Sequence, residues 1–346
     1  MSKKVINKKW LDYRSRKLNK KKFYKKKNKN NLDKSSSNNN NYLKTENDPY
    51  LYQSHALNTA PSNFSLINNT METISFFNEL ISEIRKKNFR KTFFIDSANV
   101  ENVTVDALIY LIAIMQNIQI NYDMKYTFKG NLPKKDAAAF IYKNSGFMSY
   151  VSSNIKKLPP STDNMRIVSG NNNNPIIAKE FCQFIMAKLN KKQRDTLFVQ
   201  KVLIELMSNV YHHAYNTDSI MINRWYLYAE YLDNRVRCVF LDTGAGIAKT
   251  VRKNHMEKIL RFLGTNASDA DLILSTLQGV DLRTQTGEFY RGNGLSGVRT
   301  FVETPLFENF SVFSGKGHCF LDKNKKWIKR NNDDKIYGTI YMFDVV

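Results

Sequence analysis

Glu205, Asn209 and His213 recur every four residues in the stretch IELMSNVYHHAY, residues 204–215. On a helix this spacing drifts by only about 40° per step, so the three side chains share one face. Three readings are open for such a face: a metal site, an acid–base pair, or an ordinary helix with no chemistry. His212 and His213 are neighbours and point about 100° apart, so they cannot chelate one ion together. The HExxH order of zinc proteases is also absent. Phe198, Val202, Leu206 and Val210 are placed to cover the opposite, buried side.

Two glycine motifs lie downstream. In VFLDTGAGI (239–247), Asp242 leaves the end of an apolar run, and Gly244 and Gly246 let the chain turn without a Cβ clash. A ligand can approach such a backbone closely, although many turns after a strand look alike. In YRGNGLSGVRTFVE (290–303), Gly292 and Gly294 precede an amphipathic stretch starting near Leu295. Successive amides at a glycine-rich helix start suit phosphate. The spacing is not that of a P-loop. Gly292, Gly294 and Gly297 spell GxGxxG, but the polar DLRTQTGEF before them is no strand, which counts against a dinucleotide fold.

The order of these motifs is more informative than any one of them. ExxxN on a helix, then DxGxGI, then GxGL, then a terminal strand with Gly338-Thr339, resembles the GHKL superfamily over about residues 176–346. That group includes gyrase B, histidine kinases, MutL and the anti-sigma kinases. The resemblance implies a Bergerat ATP-binding fold with ATP and Mg²⁺ as cofactors. It implies that Asn209 holds Mg²⁺ and that Glu205 polarises the attacking water in members that hydrolyse ATP. Asp242 would accept a hydrogen bond from the adenine amino group, beside Gly244, Gly246 and Ile247. Gly292, Gly294 and Leu295 would end a flexible lid over the phosphates, and Thr339 would support the adenine pocket. His213 matches a pocket-wall histidine of anti-sigma kinase relatives. Asparagine oxygen suits Mg²⁺ better than imidazole does, and a carboxylate one turn away is well placed to orient water. Arg283, Arg291 and Arg299 lie near the lid. No phosphoacceptor histidine box precedes the module, since His55 in YQSHALN lacks that context, and no transducer lysine is evident.

A second resemblance lies upstream. KTFFIDSANVENVTVDALIYLIAIMQN (91–117) is similar to a STAS domain, which implies a regulatory hydroxyl at Thr104 or, second, Ser97. Anti-sigma kinases act on STAS partners, so this chain would carry both halves of such a pair.

The elements that must position these residues follow from periodicity. TISFFNELISEIRKKN, TVDALIYLIAIMQNI and KKDAAAFIYKNSGF have helical patterns, the last ending at Ser145-Gly146, while KTFFID and YTFKG are strand-like. They predict a small α/β domain over 69–152. A linker over 153–175 contains a short strand, MRIVS, between loop-forming stretches. From about Ile176 to Tyr215 run one or two helices. SIMINRWYLYAEYL and RVRCVFLDT then face each other across Asp233-Asn234 as a hairpin. FENFSVFSG, HCFLD and YGTIYMFDVV supply further strands. The expected class is α/β (α+β), with a C-terminal sandwich over 176–346 built on a mixed, largely antiparallel sheet.

Composition bounds the rest. Residues 1–50 hold 16 Lys and Arg against 4 Asp and Glu, net +12 of the chain's +22. This polar, low-complexity tail predicts disorder over 1–68, linker included. Trp10, Tyr13, Phe23 and Tyr24 interleave with its lysines, a pattern that serves nucleic-acid binding or simply a solvated basic arm. No apolar segment follows it as in a secretory signal, and no run of about 18 apolar residues predicts a membrane span. Cys182, Cys238 and Cys319 are odd in number and far apart, which fits neither a disulfide framework nor a zinc site. A cytoplasmic protein is expected, with ATP, a protein partner (a second copy among the options) and nucleic acid as ligands. The first functional reading is an ATP-switched regulator whose lid closure controls partner contacts. Its alternatives are a Ser/Thr kinase or slow ATPase using Glu205, and a nucleic-acid-associated ATP switch.

Overall fold

The layering follows from one helix that has no polar side. Residues 107–114 are each 1% exposed or less, and a helix apolar all round must be covered all round. The computed structural model describes residues 55–85, 92–121, 127–151, 161–212, 223–252, 263–278, 298–300 and 302–346. In it this helix, α2 (Val105–Asn121), and its neighbour α1 (Thr70–Arg85) share one core with two sheets.

The first sheet is parallel and three-stranded, in the order β1 (His55–Thr59), β3 (Thr92–Asp96), β5 (Thr127–Gly130). Parallel neighbours need crossover connections, and α1 and α2 supply them. A two-stranded parallel pair joins β2 (Asn63–Phe64) to β4 (Asn102–Val103), and α3 (Asp136–Asn144) and α4 (Met148–Val151) complete this module. Gly146, at φ +89°, ends α3 as expected.

The second sheet has five strands in the order β6 (Asn164–Gly170), β7 (Trp225–Leu232), β8 (Arg235–Asp242), β10 (Trp327–Val345), β9 (Phe307–Leu321). Every pairing in it is antiparallel, where a mixed sheet was expected. Both faces are covered. Tyr226, Tyr228, Val239, Leu241, Ile340 and Met342 join the α1–α2 core. The alternating residues Trp225, Leu227, Cys238, Phe240, Tyr341 and Phe343 join a second core with α5 (Pro175–Leu189), α6 (Gln193–His212) and α7 (Asp269–Leu277). Double coverage explains the near-continuous apolar runs of β7 and β8.

Local chemistry sets the boundaries. Asn174 accepts from the N–H groups of Ile176 and Ile177 and Pro175 follows it, while Asn190 closes α5 in the left-handed conformation, φ 51°. Asp233 and Asn234, both at positive φ, make the expected tight hairpin between β7 and β8. Ser268 and Asp271 cap α7 reciprocally.

Three expectations change. β1 and β2 lie inside the 1–68 span expected to be disordered, with Phe64 and Leu66 fully buried; a five-residue strand among polar neighbours carries too little periodicity to be seen alone. β6 lies inside the span read as a linker, yet it is an edge strand of the main sheet. FENFSVFSG and HCFLD are one continuous strand, β9. Gly317 within it serves the approach of α7, since a Cβ there would lie 2.6 Å from the Ala270 nitrogen. No helix among the described residues is long and apolar enough to cross a membrane. Cys182, Cys238 and Cys319 are buried and free. Residues 1–54, including the basic tail, lie outside the described residues.

Candidate functional site

α6 carries the first candidates. Its buried face is Val199, Val202, Leu203, Leu206, Met207 and Val210. Phe198, expected on that side, is instead 43% exposed under the Lys201 ammonium, because it sits one position before the stripe. Glu205 is exposed and Asn209 half-buried one turn later. Among the described residues, neither side chain is hydrogen-bonded to the group around Asp242. His213 lies outside the described residues.

The strongest convergence is across the sheet. Gly170, Trp225, Asp242, Thr339 and Ser314 are successive register partners on β6, β7, β8, β10 and β9. Directly paired residues project to the same face. Here it is the face towards α5–α7, since Trp225 and the residues two places away, Phe240 and Tyr341, lie in that core. Asp242 and Thr339, 97 residues apart in sequence, are therefore immediate neighbours.

The turn after Asp242 is built around its carboxylate. Oδ1 accepts the Gly244 N–H at 2.6 Å; Oδ2 accepts from no described residue. The carboxyl is partly open, yet enough protein surrounds it that desolvation raises its pKa from 3.8 to about 6, against the pull of the Gly244 N–H. The charge in turn helps raise the buried Tyr341 phenol, after burial itself. Thr243 closes the turn from behind, donating N–H and hydroxyl to the Arg224 carbonyl and accepting the Arg224 N–H.

Gly246, φ +84°, comes so close to β9 and β10 that a Cβ would lie 2.9 Å from Ser314 Oγ and 3.0 Å from the Gly338 carbonyl. The Ile247 N–H, first in the helical segment 247–252, is held by Ser314 Oγ at 2.8 Å, and the Ile247 side chain enters the core. Ile247 thus anchors the loop. Ser314 is fully buried; its hydroxyl also donates to the Gly338 carbonyl, 3.1 Å, and lies 3.3 Å from Thr339 Oγ1. Sequence reasoning missed Ser314. A lone serine in an apolar strand hints at a buried hydroxyl, but its pairing with Thr339 requires the register. Ser314→Ala strands the Ile247 N–H and Gly338 carbonyl in the core, and is expected to cost about 1–3 kcal/mol in urea unfolding.

Gly292, Gly294, Leu295, Arg283 and Arg291 lie outside the described residues. The Arg299 guanidinium is engaged by Glu303 at 2.6 Å. In the first module, Thr104 is half-buried and its hydroxyl donates to Ser65 Oγ at 2.8 Å, while buried Ser97 accepts from the Tyr142 hydroxyl at 3.2 Å. Asp106, beside Thr104, is buried with its carboxyl pushed up by desolvation; Oδ2 accepts the N–H groups of Leu66 and Ile67 and so ties the 65–69 loop to α2.

The arrangement sets one carboxylate oxygen that accepts from no described residue beside the buried Thr339, with a tight glycine turn next to them. No protein-family model matches this chain, and no curated protein matches it by sequence.

Proposed function

We propose that the chain is an Mg·ATP-binding regulatory protein of the GHKL type, with the Bergerat site formed between the five-stranded sheet and α6. The observation that carries the reading is the Asp242–Thr339 cross-strand pair, set where the DTGAGI turn leaves the sheet. Asp242 Oδ2 is a free acceptor for an exocyclic amine, and Gly244 and Gly246 shape the tight turn beside it. Asn209 presents a half-buried amide, a hard oxygen ligand of the kind Mg²⁺ takes alongside water and phosphate. Bound Mg·ATP would supply a negatively charged triphosphate, and closure of a lid over it would alter what that surface contacts in a partner.

The STAS-like front module supports a regulatory role, and its placement bears on kinase chemistry. Thr104 precedes α2, which packs on the sheet face opposite Asp242 and Thr339. Transfer from the site to Thr104 of the same chain would have to pass around the sheet, which favours binding over in-chain transfer. The exposed Glu205, one turn from Asn209, favours slow hydrolysis as the second reading.

The two roles separate by mutation. Asn209→Ala is expected to remove the Mg²⁺-dependent part of ATP-analogue affinity, about 10-fold or more, while metal-free binding persists. Glu205→Ala is expected to leave analogue affinity within about 2-fold and, if the protein hydrolyses ATP, to abolish phosphate release. Calorimetric titration with and without Mg²⁺ checks the first, and a phosphate-release assay the second. Unchanged Mg²⁺ dependence in Asn209→Ala would remove Asn209 from the site.

A further inference from the structure

β10 is irregular at the point where it enters the site. Ile336 pairs with Gly315 and Thr339 with Ser314, so two residues of β10, Tyr337 and Gly338, stand against no residue of β9. A bulge of this kind leaves backbone groups off the ladder and re-aims the strand. Two of these groups are caught by side chains. The Gly338 carbonyl accepts from Ser314, as described. The Tyr337 N–H is caught from the other face of the sheet by the front module, donating to the Tyr110 hydroxyl of α2 at 2.7 Å. Tyr110 is 1% exposed, and its ring is fixed edge-on against Phe77 of α1, 4.8 Å between centroids. α1 also clamps the flanking chain: Asn78 donates to the Lys335 carbonyl at 2.9 Å, and the Arg85 guanidinium lies over the Tyr337 ring.

We infer that Tyr110 is a positioning residue for the nucleotide site: by holding the Tyr337 N–H it fixes the bulge that sets Gly338 and Thr339 against Asp242, so that the front module governs the shape of the adenine wall. This rests on the ATP-site reading. Without the hydroxyl, the part-buried Tyr337 N–H loses its acceptor, and the two-residue loop is expected to shift to find one. The shift lands on Thr339, two residues on, rather than on α6. Base recognition is therefore affected, and the Mg²⁺–phosphate end is spared.

Tyr110→Phe in the full chain keeps the ring and removes the hydroxyl. Hydrogen exchange at the Tyr337 amide is expected to speed up by about 10-fold. Affinity for a non-hydrolysable ATP analogue is expected to fall about 3- to 10-fold, with a narrowed preference over the guanine analogue and unchanged Mg²⁺ dependence. Asn78→Ala, which loosens the same clamp without touching the bulge N–H, is expected to keep wild-type affinity and base preference. A merely structural role would lower thermal stability in both variants and leave the affinity and base preference of the folded protein alone. In the wild type, the ATP analogue is expected to slow exchange at the Tyr337 amide. Unchanged affinity and base preference in Tyr110→Phe, or no nucleotide effect on the Tyr337 amide, overturns the inference while leaving the site reading intact. A wild type that binds no nucleotide removes the site reading, and the inference with it.

Discussion

Asp242→Asn is expected to weaken ATP-analogue binding about 10- to 100-fold at pH 7 while leaving the free protein more stable, not less. Both signs follow from the same carboxylate. Oδ1 is already committed to the Gly244 N–H, so the isosteric amide keeps its oxygen there and turns its NH2 towards the ligand. An exocyclic amine then meets a donor where it needs an acceptor. Losing a charge-assisted hydrogen bond of about 1.5–3 kcal/mol gives that range of affinity. For stability, a carboxyl raised from 3.8 to about 6 is one whose ionised form folding disfavours. Below about pH 4 it is protonated in both folded and unfolded chains and costs nothing. The cost grows as pH rises through the window from 4 to 6 and is complete above it, at most about 3 kcal/mol and less where solvent reaches the group. Thermal melts of wild type and variant should coincide near pH 4 and separate by pH 7, the variant higher. Wild-type affinity should fall as pH drops below about 6, as the acceptor is protonated. A variant less stable at pH 7 would show that the carboxylate charge supports the fold instead.

Gly338→Ala carries the second large effect. At φ +90° the backbone is already in a region that suits glycine, and a Cβ would sit 2.1 Å from the Asp242 carbonyl oxygen and 3.1 Å from Thr243 Cα. These are backbone atoms of the neighbouring strand and its turn, with no flexible side chain to yield. The clash falls on the Asp242–Thr339 pair, so β8 and β10 must separate where these two residues meet. A loss of at least about 3 kcal/mol in urea unfolding is expected, with analogue binding lost alongside. Gly264→Ala is the internal comparison. It too has a positive φ, +81°, but its Cβ would meet nothing within 4 Å, so only backbone strain of about 1 kcal/mol is expected. Equal losses at the two glycines would show that close strand contact at Gly338 is not what matters.

These cases show what the sequence makes legible. The Asp233-Asn234 hairpin, the α5 caps and the apolar face of α6 are local: turn chemistry and a 3.6-residue period suffice to find them. Asp242 and Gly246 stand out for the same reason, as a strand end followed by glycines. What stayed hidden depends on register. Ser314 and Thr339 lie 25 residues apart and become partners only because β9 pairs with β10 through a two-residue bulge, and nothing in FENFSVFSG announces that offset. Tyr110 is more deeply hidden still: in ALIYLIAIM it is one more apolar residue of a buried helix, and its hydroxyl gains meaning only beside Tyr337, 227 residues later. β6 was misplaced because MRIVS is short and flanked by loop residues, so only its partner β7 reveals it as part of the sheet.

The central claim is that Asp242, Thr339 and the DTGAGI turn hold the adenine of Mg·ATP. Its most direct test is calorimetric titration of the 346-residue chain with a non-hydrolysable ATP analogue, with and without Mg²⁺, beside the guanine analogue. The account predicts saturable 1:1 binding that Mg²⁺ strengthens and that the guanine analogue does not match. No saturable binding, or equal binding of both bases with no effect of Mg²⁺, would contradict it.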